Sequence, residues 1–163
     1  MTERPPLVLL AIVSMILLTS CQKGSSGATT DRLSNAYDTE VDWTEPQRVI
    51  PLNYEQSQGK RIFYAYCVWC HADSTPAGPS NRSNLNPAPP LGNDGSEFNP
   101  LSDNLLRNTI TLGGSAMGKS AMMPSWGQTL TQGQIDAVMA FLRVIAQPAY
   151  QPPSHPGPNY SVK

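Results

Sequence analysis

Five consecutive residues constrain this chain more than any other feature: Cys67-Val68-Trp69-Cys70-His71, two thiols three positions apart with an imidazole directly after the second. At average composition such a C-x-x-C-H pentapeptide arises by chance in roughly one in a thousand chains of this size. Before it, Gly59, Ile62, Phe63, Tyr66, Cys67 and Cys70 recur at the spacing of one helix face. The periodicity predicts a helix from Ser57 into the motif, with both thiols on one side of its last turn. A thioredoxin-type redox pair needs the opposite arrangement, C-x-x-C opening a helix beside a parallel sheet, and no strand pattern precedes this one. A structural zinc site needs a fourth ligand, and the other histidine, His155, stands in a proline-rich tail. A Cys67–Cys70 disulfide spans too few helical residues for easy geometry. The reading that uses all three side chains is covalent attachment of one haem c, with Cys67 and Cys70 bonded to its vinyl groups and His71 as the proximal iron ligand.

The third cysteine closes a different pattern. Leu7 to Leu18 is an apolar run interrupted only by Ser14. A permanent membrane span takes about 20 apolar residues, so this run is short for a span and suited to an export signal. Leu18-Thr19-Ser20-Cys21 resembles the lipobox of bacterial lipoproteins, which implies cleavage before Cys21 and a diacylglycerol on its thiol. The plainer readings are an ordinary secretory signal cut after Ser20 or an uncleaved anchor. On the lipobox reading the protein is extracytoplasmic, on the periplasmic side, and bound to a membrane by its N-terminal lipid.

The organisation expected from these signals is a signal peptide over 1–20, a lipidated N-terminus and flexible tether over 21–53, one domain over 54–147 and a Pro-rich tail over 148–163. Within the tether segment Tyr37 and Trp43 are the large hydrophobes, and Trp43 and Val49-Ile50 are the side chains able to pack back on the domain. A second helix is predicted from Ser102, with Leu105, Leu106, Thr109 and Ile110 on one face and Gly113-Gly114 as its stop. A third begins at Thr131-Gln132-Gly133-Gln134, which has the form of a capping box, and runs through Ile135, Val138, Met139, Leu142 and Ile145 until Pro148. Between the first two helices, residues 72–100 hold six prolines and no evident core, so they read as a long loop. No strand of any length competes, and the expected class is all-α. With 11 Lys+Arg against 12 Asp+Glu and no basic run, nothing provides the electrostatic footprint of a nucleic-acid binder.

A haem iron held by one histidine has a sixth position, and its occupant decides function. Met117, Met122, Met123 and His155 are the candidates, beside an open site. Met123 is preferred because it precedes Pro124: a residue before proline is driven out of the α region, and an extended backbone can project a long thioether toward a flat cofactor.

Gly59 and Phe63 ahead of Cys67-Val68-Trp69-Cys70-His71, the loop Asn86-Pro87-Ala88-Pro89-Pro90-Leu91, Met123-Pro124-Ser125-Trp126, and Val138-Met139-Ala140-Phe141-Leu142 together resemble a class I cytochrome c domain from about Tyr54 to Gln147. The resemblance implies three main helices and long Pro/Gly-rich loops packed around the covalent haem. It implies that the first and last helices cross at Gly59, Phe63 and Phe141, and that the carbonyl of Pro90 or Pro89 orients His71. With His71 and Met123 both on the iron, the implied function is single-electron transfer, not enzymatic catalysis on a small-molecule substrate. The implied partners are redox proteins: a respiratory complex, a dehydrogenase or an oxidase. In layout alone the chain is similar to lipoprotein monohaem subunits of alternative quinol-oxidising complexes. A haem with an open or labile sixth site, acting as a gas sensor or peroxidase-like enzyme, is the alternative.

Overall fold

The computed structural model describes residues 35–152; the expected export signal, the expected lipobox with Cys21, and the tail from residue 153, His155 included, lie outside them. The chain divides after Asn35, and all elements described here belong to the unit that begins at Ala36.

Helix α1 (Tyr54–Tyr66) opens on a reciprocal cap: the Gln56 amide N–H donates to the Asn53 side chain at 2.9 Å, and the Gln56 side-chain oxygen accepts from the Asn53 N–H at 2.9 Å. It ends at Cys67, and a separate turn, α2 (Val68–His71), follows, so the single helix read through Cys70 is two. A second short helix, α3 (Gly95–Phe98), is capped by Asp94, and α4 (Asp103–Leu112) by the Ser102 hydroxyl. Helix α4 stops at Gly113, whose φ of +82° is one that a side chain would strain. Helix α5 (Gln132–Ile145) starts at the Thr131/Gln134 capping box, which is fully formed.

The core forms where α1 crosses α5. A Cβ on Gly59 would lie 1.9 Å from the Ala137 carbonyl oxygen, so the two backbones meet at a distance only hydrogen allows. Beside that contact Phe63 and Phe141 pack with ring centroids 5.6 Å apart, both fully buried. Each such ring contributes on the order of 2–3 kcal/mol of burial. Leu106 and Ile110 of α4 and Ile135, Val138, Leu142 and Ile145 of α5 extend the same cluster.

Two expectations are corrected. Strands β1 (Asp38–Val41) and β2 (Val49–Leu52) form an antiparallel ladder, Asp38 opposite Leu52 and Val41 opposite Val49. The tether therefore does not reach residue 53: Ile50 and Leu52 are core residues. The all-α class is likewise modified by this hairpin and by a two-residue ladder, β3 (Ser74–Thr75) with β4 (Gly78–Pro79), inside the long loop. The pattern was hidden because the inward residue of β1 is a carboxylate. Glu40 is buried while Thr39 and Val41 face out, the reverse of the usual alternation.

Candidate cofactor site

A cavity of about 340 Å³ opens between α1, α2, the proline-rich loop, α4 and α5. Cys67, Cys70, His71 and Met123, from two segments some fifty residues apart, all border it. The rest of its wall is mainly apolar, with Phe63, Pro90, Leu106, Ile110 and Leu142 among its members.

The motif is built by one tight turn. The Cys67 carbonyl accepts from the N–H of both Cys70, at 3.1 Å, and His71, at 2.9 Å, which brings the two thiols and the imidazole to one wall. Burial, with Cys70 nearby, pushes the Cys67 thiol up to about 12, so it stays neutral in its apolar surroundings. Both cysteines are unbridged.

His71 is held at both ends. Its Nδ1 lies 2.8 Å from the Pro90 carbonyl oxygen, and its own carbonyl accepts from the Gly92 N–H at 2.7 Å. A carbonyl can only accept, so Nδ1 carries the proton and Nε2 keeps a free lone pair. Burial lowers the imidazole's pKa, the Arg82 cation adds to this, and the Pro90 bond opposes them without prevailing, so the neutral ring is favoured. Of the two proline carbonyls considered above, Pro90 meets the histidine; Pro89 accepts instead from Arg82 Nε at 2.8 Å. Arg82 also pairs with Asp73 at 3.0 Å, pinning the loop to the segment after α2. Its role had no signal in the sequence, because a lone arginine in a loop reads as solvated surface.

On the opposite segment, Met123 is positioned by backbone. Its carbonyl accepts from Gly114 N–H at 3.0 Å, and a Cβ on Gly113 would fall 2.8 Å from Ser125 N and 3.0 Å from that carbonyl oxygen. The glycine pair that stops α4 thus also seats the methionine loop. Met122 reaches the rim but is 66% exposed, whereas Met117, in the 3-10 turn Ser115–Met117, does not border the cavity. Trp126 lines the cavity and packs on Tyr66, centroids 5.3 Å apart.

Chemically the site offers two thiols, one imidazole lone pair and the thioethers of Met123 and, at the rim, Met122. Among the described residues no group of three or more His, Cys, Asp or Glu, the motif included, is placed so that it could hold a metal ion by itself. A family model described as "Cytochrome C oxidase, cbb3-type, subunit III" matches residues 55–142. Comparisons with curated proteins and with solved structures return no match.

Proposed function

The chain belongs to the cytochrome c family of cbb3-type oxidase subunit III, a c-type cytochrome with covalent haem c, and from that premise we propose that it is a membrane-tethered, one-haem electron carrier. In this reading Cys67 and Cys70 would hold the porphyrin by thioethers, and His71 Nε2 and Met123 Sδ would hold the iron. The observation that carries it is the convergence of these four side chains on one apolar cavity, with His71 already oriented by Pro90. When bound, the haem supplies a site that accepts and releases one electron.

The chain's own residues set the conditions. Pro90 fixes the imidazole ring and its tautomer, so Nε2 is presented without reorganisation. A soft thioether at Met123 and apolar walls both disfavour the higher charge of ferric iron, which favours a positive potential. Helices α1, α4 and α5 and the proline-rich loop wall the cavity, and an iron held by both His71 and Met123 would serve electron transfer.

Export and anchoring rest on the apolar run Leu7 to Leu18 and the lipobox ending at Cys21. A lipid on Cys21 keeps the domain near one membrane and raises its effective concentration for membrane-bound redox partners. The family description names an oxidase subunit, which supports a respiratory complex as the partner.

The test is the ferric absorption spectrum of natively matured protein. Thioether ligation gives a weak band at the red edge of the visible range; Met123→Ala should abolish it, and Met117→Ala and Met122→Ala should retain it. A Met123→Ala spectrum identical to the parent's refutes the assignment.

A further inference from the structure

The hairpin that precedes α1 makes contacts a linker does not need. Trp43, just past β1, stands over the loop that orients His71: a Cβ on Gly92 would lie 3.3 Å from Trp43 Cη2 and 2.5 Å from Phe63 Cζ. Gly92 therefore packs directly against both rings, and it is the residue whose N–H holds the His71 carbonyl. The Trp43 indole is in turn fixed by Glu40. Its Nε1–H donates to Glu40 Oε1 at 3.3 Å, Tyr64 Oη donates to the same oxygen at 3.0 Å, and Lys60 Nζ faces Oε2 at 3.4 Å.

A second connection runs through Asp42, only 1% exposed. Its Oδ1 accepts from Thr44 N and Oγ1 at 2.9 and 2.8 Å, while Oδ2 accepts from Gln147 Nε2 at 3.1 Å and pairs with Arg48 at 3.3 Å. The Gln147 backbone then grips the far end of the same loop, donating to Asn93 O at 2.8 Å and accepting from Gly95 N at 2.9 Å. Two buried carboxylates on a pre-domain hairpin thus reach both ends of the segment running from Pro90 to Gly95. Carboxylates are costly to bury, and these two are retained where each organises donors from separate elements.

We propose that the β1–β2 hairpin is a strap that positions the axial histidine, with Trp43 and Asp42 as positioning residues that hold the Pro90 carbonyl against His71 Nδ1–H. The proposal rests on the reading of His71 as iron ligand. It assigns residues 38–52 to the redox site rather than to the tether, and it makes the domain the family model matches from residue 55 dependent on residues before that boundary.

The experiment uses the full, haem-loaded protein in its ferric state and follows the His71 Nδ1–H proton by NMR after transfer to D2O. Trp43→Phe removes the indole edge over Gly92 and the bond to Glu40; Asp42→Asn keeps shape and removes charge. Both should accelerate exchange of this proton by about three- to tenfold, the effect of losing roughly one hydrogen bond from the barrier to local opening. Ile135→Ala, a core truncation in α5 that removes none of the hydrogen bonds of the strap, supplies a protein with lower global stability and should leave the exchange rate near the parent's. Strap variants that lose stability yet exchange this proton at the parental rate overturn the proposal. Absence of any iron-shifted imidazole resonance in the parent would overturn the ligand reading itself, and the strap with it.

Discussion

Replacing Gly59 with alanine sets two effects of opposite sign against each other. On helix propensity alone the substitution should stabilise, since glycine inside a helix costs about 1 kcal/mol relative to alanine. The new methyl, however, would sit 1.9 Å from Ala137 O, 2.5 Å from Ala137 C and 2.9 Å from Phe141 Cβ, where ordinary contact begins at 3.4 Å. The obstacle is backbone, which cannot swing aside, so α1 and α5 must part by about 1.5 Å over a close-packed interface. Such overpacking costs typically 1–3 kcal/mol and sometimes more, and parting the helices also loosens the Phe63–Phe141 contact. The net expectation is a loss of about 1–2 kcal/mol. Gly133 of the same crossing pair is the control: nothing lies within 4 Å of its added Cβ, so Gly133→Ala should be neutral or stabilising by a few tenths of a kcal/mol. Urea unfolding of the haem-loaded proteins, followed by far-UV circular dichroism, measures both. A Gly59→Ala protein as stable as the parent would mean that the crossing is looser than described, and the close-approach reasoning would fail.

Gly113→Ala combines a φ of +82° with contacts of 2.8 and 3.0 Å to the methionine loop, so it should cost about 1–3 kcal/mol and also weaken the red-edge band, because the Met123 backbone must shift. Retention of a full-strength band would separate the glycine from the ligand loop. Acid sensitivity should trace in part to Asp42. Burial alone would raise its pKa, but hydrogen bonds from Thr44 and Glu45 and the charge of Arg48 hold it below the usual 3.8. A carboxylate depressed in the folded state contributes stability above its unfolded value, and that contribution is lost as pH falls through the folded one. Unfolding free energy should therefore be insensitive to Asp42 titration above pH about 5 and fall below pH about 4. In Asp42→Asn the decline should be shallower, and an unchanged acid limb would contradict it.

The motif was legible because its chemistry is local: two thiols and an imidazole within five residues define their own turn. The stops and caps of α4 and α5 were legible for the same reason, since Ser102, Gly113-Gly114 and the Thr131/Gln134 box act on backbone groups three or four residues away. The start of α1 is written in the same code at Asn53 and Gln56, yet the helical periodicity is visible only from Ser57. The hairpin escaped for a physical reason. Hydrophobic alternation detects strands whose buried side is apolar, and the buried side of β1 is Glu40, whose Oε1 accepts from Tyr64 and Trp43 and whose Oε2 faces Lys60, all from outside the strand.

The sequence alone determined that two thiols and an imidazole share one turn and that capped helices flank it, because those features depend on neighbours along the chain. Only the folded arrangement decided that Pro90 rather than Pro89 meets His71, that Met123 borders the cavity and Met117 does not, and that Asp42 reaches Gln147 more than a hundred residues away. These are choices between chemically equivalent groups. Distance in space discriminates among them, and spacing along the chain carries no record of it.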